Sequence, residues 1–236
     1  MIVQRHDNDL VFIRQADHAA LAGRLMAAWQ ADGLPDNPRR NAILIATATH
    51  DDGWIEVDAA QAVDADGEPV DFITAPLSVK QGVWPRAVDS LAWDQPYAAA
   101  LVAQHAMTAY ADHRDKPEWQ AFFAAMAERR SALIGRAGSG AAAAIDRDYR
   151  FVRMGDILSL IVSGAWRQPY EYDGRQLAHD AGRLTIGPDP FAGATVPLAL
   201  PVRRIARRRY TSSEDLRAAL AAAPEEWLRG SATGRA

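Results

Sequence analysis

The sequence predicts a mainly helical α+β fold, a helical body carrying a small antiparallel sheet built from the N- and C-terminal segments. Three observations carry this. Apolar residues recur at helical spacing throughout the middle of an alanine-rich chain, and alanine is the strongest helix former. Short β-branched runs sit at both ends. One long helix contains a stretch, Met154 to Val162, that is apolar nearly all round apart from the acid Asp156. A single domain over 1–236 is the economical division, with the helical body over about 16–166, terminal strands over about 1–14 and 183–210, and a last helix over about 212–223.

Taken in order, Met1-Ile2-Val3 and Val11-Phe12-Ile13 flank the turn-forming Asp7-Asn8-Asp9 and read as a hairpin. From Asp17 the period changes: Leu21, Leu25, Ala28 and Trp29 form one helical face, which places His18 inward, and the helix stops before Gly33-Leu34-Pro35. A second helix runs from about Arg39 through Ile43-Leu44-Ile45 into His50-Asp51-Asp52-Gly53-Trp54, with Gly53 suited to a left-handed cap. Residues 55–76 read as an acidic surface loop. Helices follow at about 78–92, 95–113, 117–135 and 142–166, with Asp94 as a cap and Pro96 in the first turn of the helix bearing His105. Gly135-Arg136-Ala137-Gly138-Ser139-Gly140 follows a helix and lacks the Lys-Ser/Thr ending, so it is a linker and not a phosphate loop. Beyond Gly182, Leu184-Thr185-Ile186 and Thr195-Val196-Pro197-Leu198-Ala199-Leu200 are strands. The five arginines between 203 and 209 read as a solvated strand edge or, as the alternative, an anion-facing patch. Thr211-Ser212-Ser213-Glu214 resembles a capping box, and the tail from Arg229 reads as frayed.

Composition narrows the chemistry. Hydrophobic residues make up 49% and charged residues 24%, ordinary for a packed domain. With no cysteine, disulfides, thiol nucleophiles and thiolate ligation are excluded, so any metal must use imidazole nitrogen and carboxylate oxygen. A net charge of −4 argues against a general nucleic-acid binder. The opening residues lack the layout of a secretory signal, and no apolar stretch is long enough to span a bilayer, so the expected address is the cytoplasm and no membrane partner is expected.

The residues that could carry chemistry are His18, the pair His50-Asp51 and Asp156. A charged carboxylate inside an apolar helix is costly unless it is paired or bound to a cation, so Asp156 reads as a metal ligand, with an ion pair to Arg153 as the bland alternative. Two nitrogens and two oxygens suit a divalent ion: Mn, Fe, Zn, Co or Mg. Asp52 is the candidate general base. His105 is the candidate for a second metal or a substrate contact; on one straight helix His113 would point about 80° away from it, an awkward pair for one ion, so a single ion is the safer expectation. Trp54 and Glu56 are candidates for the mouth of a pocket.

The order His18, His50-Asp51-Asp52-Gly53, Asp156 resembles the HD-domain superfamily of metal-dependent phosphohydrolases. That resemblance spans about 16–166 and implies an HD-like helical bundle and phosphoester hydrolysis. The segments Gln15-Ala16-Asp17-His18-Ala19-Ala20-Leu21-Ala22-Gly23, His50-Asp51-Asp52-Gly53-Trp54, Asp71-Phe72 and Pro96-Tyr97 through His105 resemble more closely a bacterial domain of unknown function, family 3891. That second resemblance implies no activity.

The expected function is therefore an HD-type metal-dependent hydrolase of a phosphoester or nucleotide-like small molecule, with a homodimer as an allowed assembly. The alternatives are a non-catalytic ligand-binding or regulatory module, and an HD-type iron oxygenase.

Overall fold

A computed structural model describes residues 1–164 and 168–236. Among the described residues, eight α-helices pack against a sheet of seven strands. The strands are β1 (Ile2–Arg5), β2 (Asp9–Ile13), β3 (Tyr170–Tyr172), β4 (Arg175–Asp180), β5 (Arg183–Gly187), β6 (Thr195–Ala206) and β7 (Glu225–Gly234). The helices are α1 (Gln15–Ala27), α2 (Arg40–Thr49), α3 (Ile55–Ala59), α4 (Leu77–Ala92), α5 (Pro96–Ala109), α6 (Pro117–Arg136), α7 (Ala141–Gly164) and α8 (Ser213–Ala222). The last two residues of the helix expected over 142–166 lie outside the described residues.

The expectation of an HD-like bundle with a small antiparallel sheet is corrected. The sheet is large and mixed, in the order β1-β2-β6-β7-β5-β4-β3, with β5 and β7 parallel and every other pair antiparallel. The N-terminal hairpin does join the C-terminal strands, through Asp9 to Phe12 paired with Ala206 back to Arg203. The tail expected to fray is instead β7, held between β6 and β5. Its Gly230-Ser231-Ala232 centre has little strand propensity of its own, and hydrogen bonds from both neighbours override it. Of the arginine run, Arg203 and Arg204 lie on β6, an inner strand of the sheet, and Arg207 to Arg209 follow its end. The run's charges are locally used: Arg203 donates to the carbonyls of Leu220 and Ala223 at the end of α8, Arg204 pairs with Asp9 and Glu226, and Arg208 with Asp215.

Ser212 caps α8, its hydroxyl accepting from the Asp215 amide at 3.2 Å. Asp94 is not the cap of α5; Gln95 holds that position, with Pro96 opening the helix. Residues 55–76 do more than form a loop. They begin with α3, and Asp71 then folds 71–74 into a tight turn by accepting from Arg5, the Ile73 and Thr74 amides and the Thr74 hydroxyl.

Two glycines set the spacing of the helices around the centre. A Cβ on Gly155 would lie 2.6 Å from Thr47 Cγ2 and 2.9 Å from Met26 Cγ, so the missing side chain lets α7 close onto α1 and α2. Gly53 is not a left-handed cap. Its Cβ would fall 1.8 Å from the Val83 carbonyl oxygen, so it serves the close approach of the motif turn to α4. No helix among the described residues is long and apolar enough to cross a membrane.

Candidate metal centre

Four helices deliver the site. His18 sits in the first turns of α1, His50 and Asp51 just past α2, His105 on α5 and Asp156 on α7, all of them buried. His18 Nε2 lies 3.0 Å from Asp51 Oδ2 and 3.7 Å from Asp156 Oδ1. His50 Nε2 lies 3.6 Å from Asp51 Oδ2 and 3.5 Å from Asp156 Oδ1. His105 Nε2 approaches the other oxygen, Asp156 Oδ2, at 3.7 Å. Two triplets have donor atoms close enough to share an ion, His18–His50–Asp51 and His50–His105–Asp156.

The second ring nitrogen of each histidine explains how the rings are aimed. His50 Nδ1 donates to the Thr47 carbonyl at 2.8 Å, which leaves Nε2 facing the acids. The Ser159 hydroxyl donates to the Asp156 carbonyl at 2.9 Å; its oxygen then accepts from His18 Nδ1 at 2.7 Å, which leaves His18 Nε2 facing Asp51. His105 Nδ1 is 3.1 Å from the Tyr149 hydroxyl. Fixing the outer nitrogen while the inner one faces the ion is how proteins orient metal-binding imidazoles. His50 Nε2 is buried without a hydrogen-bond partner among the described residues, a costly state that a cation would relieve.

The electrostatics agree with that arrangement. Burial by itself would raise the Asp51 carboxyl, but His50 and His18 hold it below the usual range. Burial likewise opposes ionisation of Asp156, yet the nearby imidazoles of His50, His105 and His18 drive its pKa far down. For His50, burial disfavours the imidazolium, but Asp51 and Asp156 outweigh it and push it up to about 9. Burial takes His105 down to about 3, so that ring is neutral near neutral pH. The donor set, three imidazoles and two carboxylates, suits a borderline divalent cation.

A cleft of about 360 Å³ opens onto this cluster. Its walls include Trp54, Phe72, Ile73, Trp84, Tyr110 and His113, with Lys80 and Arg153 supplying positive charge. Asp52 is not part of the cleft lining, although burial pushes its carboxyl up to about 6, and Glu56 is exposed outside it. The helix of His105 ends at Ala109; His113 follows in a separate turn, where it stacks on Trp119 at 5.1 Å and lines the cleft without joining either donor triplet. Sequence reasoning missed Ser159, Tyr149, Lys80 and Trp84. Ser159 and Tyr149 lie on the helix of Asp156, three residues after it and seven before, so their helical spacing from that acid was the available signal. Lys80 and Trp84 left no comparable trace. Arg153 donates to Asp156 Oδ2 at 2.6 Å, so the bland partner of that acid is present beside the metal-type donors.

No curated protein and no solved structure gives a significant match. A family model described as Protein of unknown function (DUF3891) matches residues 1–207, which include all five clustered residues. The HD resemblance, drawn from ligand order, helix placement and Gly53, is not confirmed by these comparisons, whereas the family match extends over most of the length. The chain belongs to the DUF3891 family.

Proposed function

We propose that this protein is a metal-dependent hydrolase acting on a small-molecule phosphoester, with an HD-type ligand set. The carrying observation is the buried, unpartnered Nε2 of His50, set among two carboxylates and two further imidazoles. His18, His50, Asp51 and Asp156 would hold the divalent ion, and His105 would add a nitrogen on the side of Asp156 Oδ2. Such a cation, when bound, supplies Lewis acidity and activates water. Asp51 and Asp156 supply the negative charge that retains it. Thr47, Ser159 and Tyr149 keep the rings turned inward. Trp54, Trp84 and Tyr110 wall the reacting space. His105 is neutral near neutral pH, so its Nε2 lone pair is available for metal ligation.

One observation favours a second reading, a binding module without chemistry. Asp156 is already paired with Arg153, and Asp51 with His18, so the cluster can satisfy much of itself. Elemental analysis of protein purified without an affinity tag separates the two, followed by a phosphodiester and nucleotide substrate screen. Stoichiometric metal with turnover supports the hydrolase; a metal-free chain that binds no added cation leaves the module.

A further inference from the structure

Asp156 divides its carboxylate between two kinds of neighbour. Oδ1 faces His18 and His50 at 3.7 and 3.5 Å. Oδ2 accepts from Arg153 Nη1 at 2.6 Å and lies 3.7 Å from His105 Nε2. Two-ion hydrolytic centres place their cations on adjoining donors about 3.5–4 Å apart. Here the oxygen that would serve a second ion is taken by a guanidinium, whose charge is permanent. Arg153 precedes Asp156 by three residues on α7, so both rise from one face of a rigid helix and the pairing is built into the backbone.

Arg153 is also part of the cleft wall, with its side chain 27% exposed. A guanidinium carries five N–H donors in a planar fork. Asp156 is the acid it pairs with among the described residues, and that bond fixes the fork beside the cluster. Lys80, the other cation of the cleft, donates to the Ile73 carbonyl at 2.6 Å and so bears on the 71–74 turn.

We infer that Arg153 stands in place of a second metal ion. The centre takes one cation, and Arg153 holds an oxyanion of the substrate, the non-bridging oxygens of a phosphoryl group, against it. This rests on the hydrolase reading above and makes Arg153 a specificity-determining residue, where a purely structural account would leave it a counter-ion for Asp156.

The test is Mn²⁺ stoichiometry by equilibrium dialysis together with inorganic phosphate affinity by calorimetry, on the full chain with and without Mn²⁺. The proteins are wild type, Arg153→Met, Arg153→Gln and Arg153→Lys. Wild type should take one Mn²⁺ per chain. Phosphate should bind at least about tenfold more weakly to the Met and Gln variants, the loss of one charge-assisted hydrogen bond or more, and the Lys variant should recover part of it. Mn²⁺ should bind those two variants at least as well as wild type, because a neighbouring positive charge is gone. Two Mn²⁺ per wild-type chain, or unchanged phosphate affinity in whichever of the Met and Gln variants folds, overturns the inference. A wild-type chain that takes no Mn²⁺ defeats the metal reading instead, and the phosphate comparison on metal-free protein still decides the role of Arg153.

Discussion

The hydroxyl oxygen of Ser159 lies 2.7 Å from Nδ1 of His18, across 141 positions of sequence, and this contact decides which nitrogen of His18 faces Asp51. The serine sits one turn after Asp156 on the same helix, so one turn of α7 supplies both an acid and the group that orients an imidazole. Ser159→Ala should therefore weaken metal binding by roughly 10–100-fold, the usual effect of losing such an orienting partner. Leaving His18 Nδ1 unsatisfied should also cost about 1–3 kcal/mol of stability. Mn²⁺ titration and urea unfolding read the two effects separately, and wild-type metal affinity in this variant would count against the orienting role.

Asp51→Asn keeps the size of the side chain and removes the charge that retains a cation. Metal affinity should drop by at least about tenfold, since a direct ligand matters no less than an outer partner. Any hydrolytic activity should fall with it while the fold persists. Full metal occupancy in Asp51→Asn, by elemental analysis, would favour the binding-module reading.

Gly155→Ala tests the packing that assembles the centre. The added methyl meets Thr47 and Met26 at less than 3 Å, so α7 must move away from α1 and α2. A loss of about 1–3 kcal/mol is expected from overpacking, read as a lower urea midpoint. Metal affinity should decline as well, because Asp156 moves with the helix.

The pH dependence of the metal-free chain follows from His50. Its folded pKa is raised from 6.5 to about 9, so its contribution to stability is complete below 6.5 and is lost as pH rises through about 9. Thermal unfolding of metal-free protein should show a falling Tm across that window. Protein loaded with metal has already given up that proton and should not lose stability there, and loading should release protons, measurable by calorimetry in buffers of different ionisation enthalpy.

Truncation after residue 224 removes β7, which separates β6 from β5. The N-terminal hairpin with β6 would then lose its link to β5-β4-β3, and cooperative unfolding by circular dichroism should give way to a broad transition. A sharp wild-type transition would mean that the two halves of the sheet hold together without it.

The sequence by itself determined the helices and the candidate ligands. Helical periodicity is local, so the spans of α1, α2, α4, α6 and α7 follow from which residues recur every three or four positions. A lone carboxylate in the apolar stretch around Asp156 is conspicuous because burying charge is expensive. The ends of the chain were harder to read. β3 and β4 are short and polar, and β7 is stabilised by hydrogen bonds to strands distant in sequence, an energy no local pattern encodes. The same holds inside the centre. Residue order gave His18, His50, Asp51 and Asp156, but only the tertiary structure decided that Ser159 and Thr47 turn the rings inward, that Gly53 answers to Val83 and not to a cap, and that Arg153 shares Asp156 with the histidines. Those are contacts between surfaces that meet only when the helices pack, so their energies depend on distances in space and not on spacing along the chain.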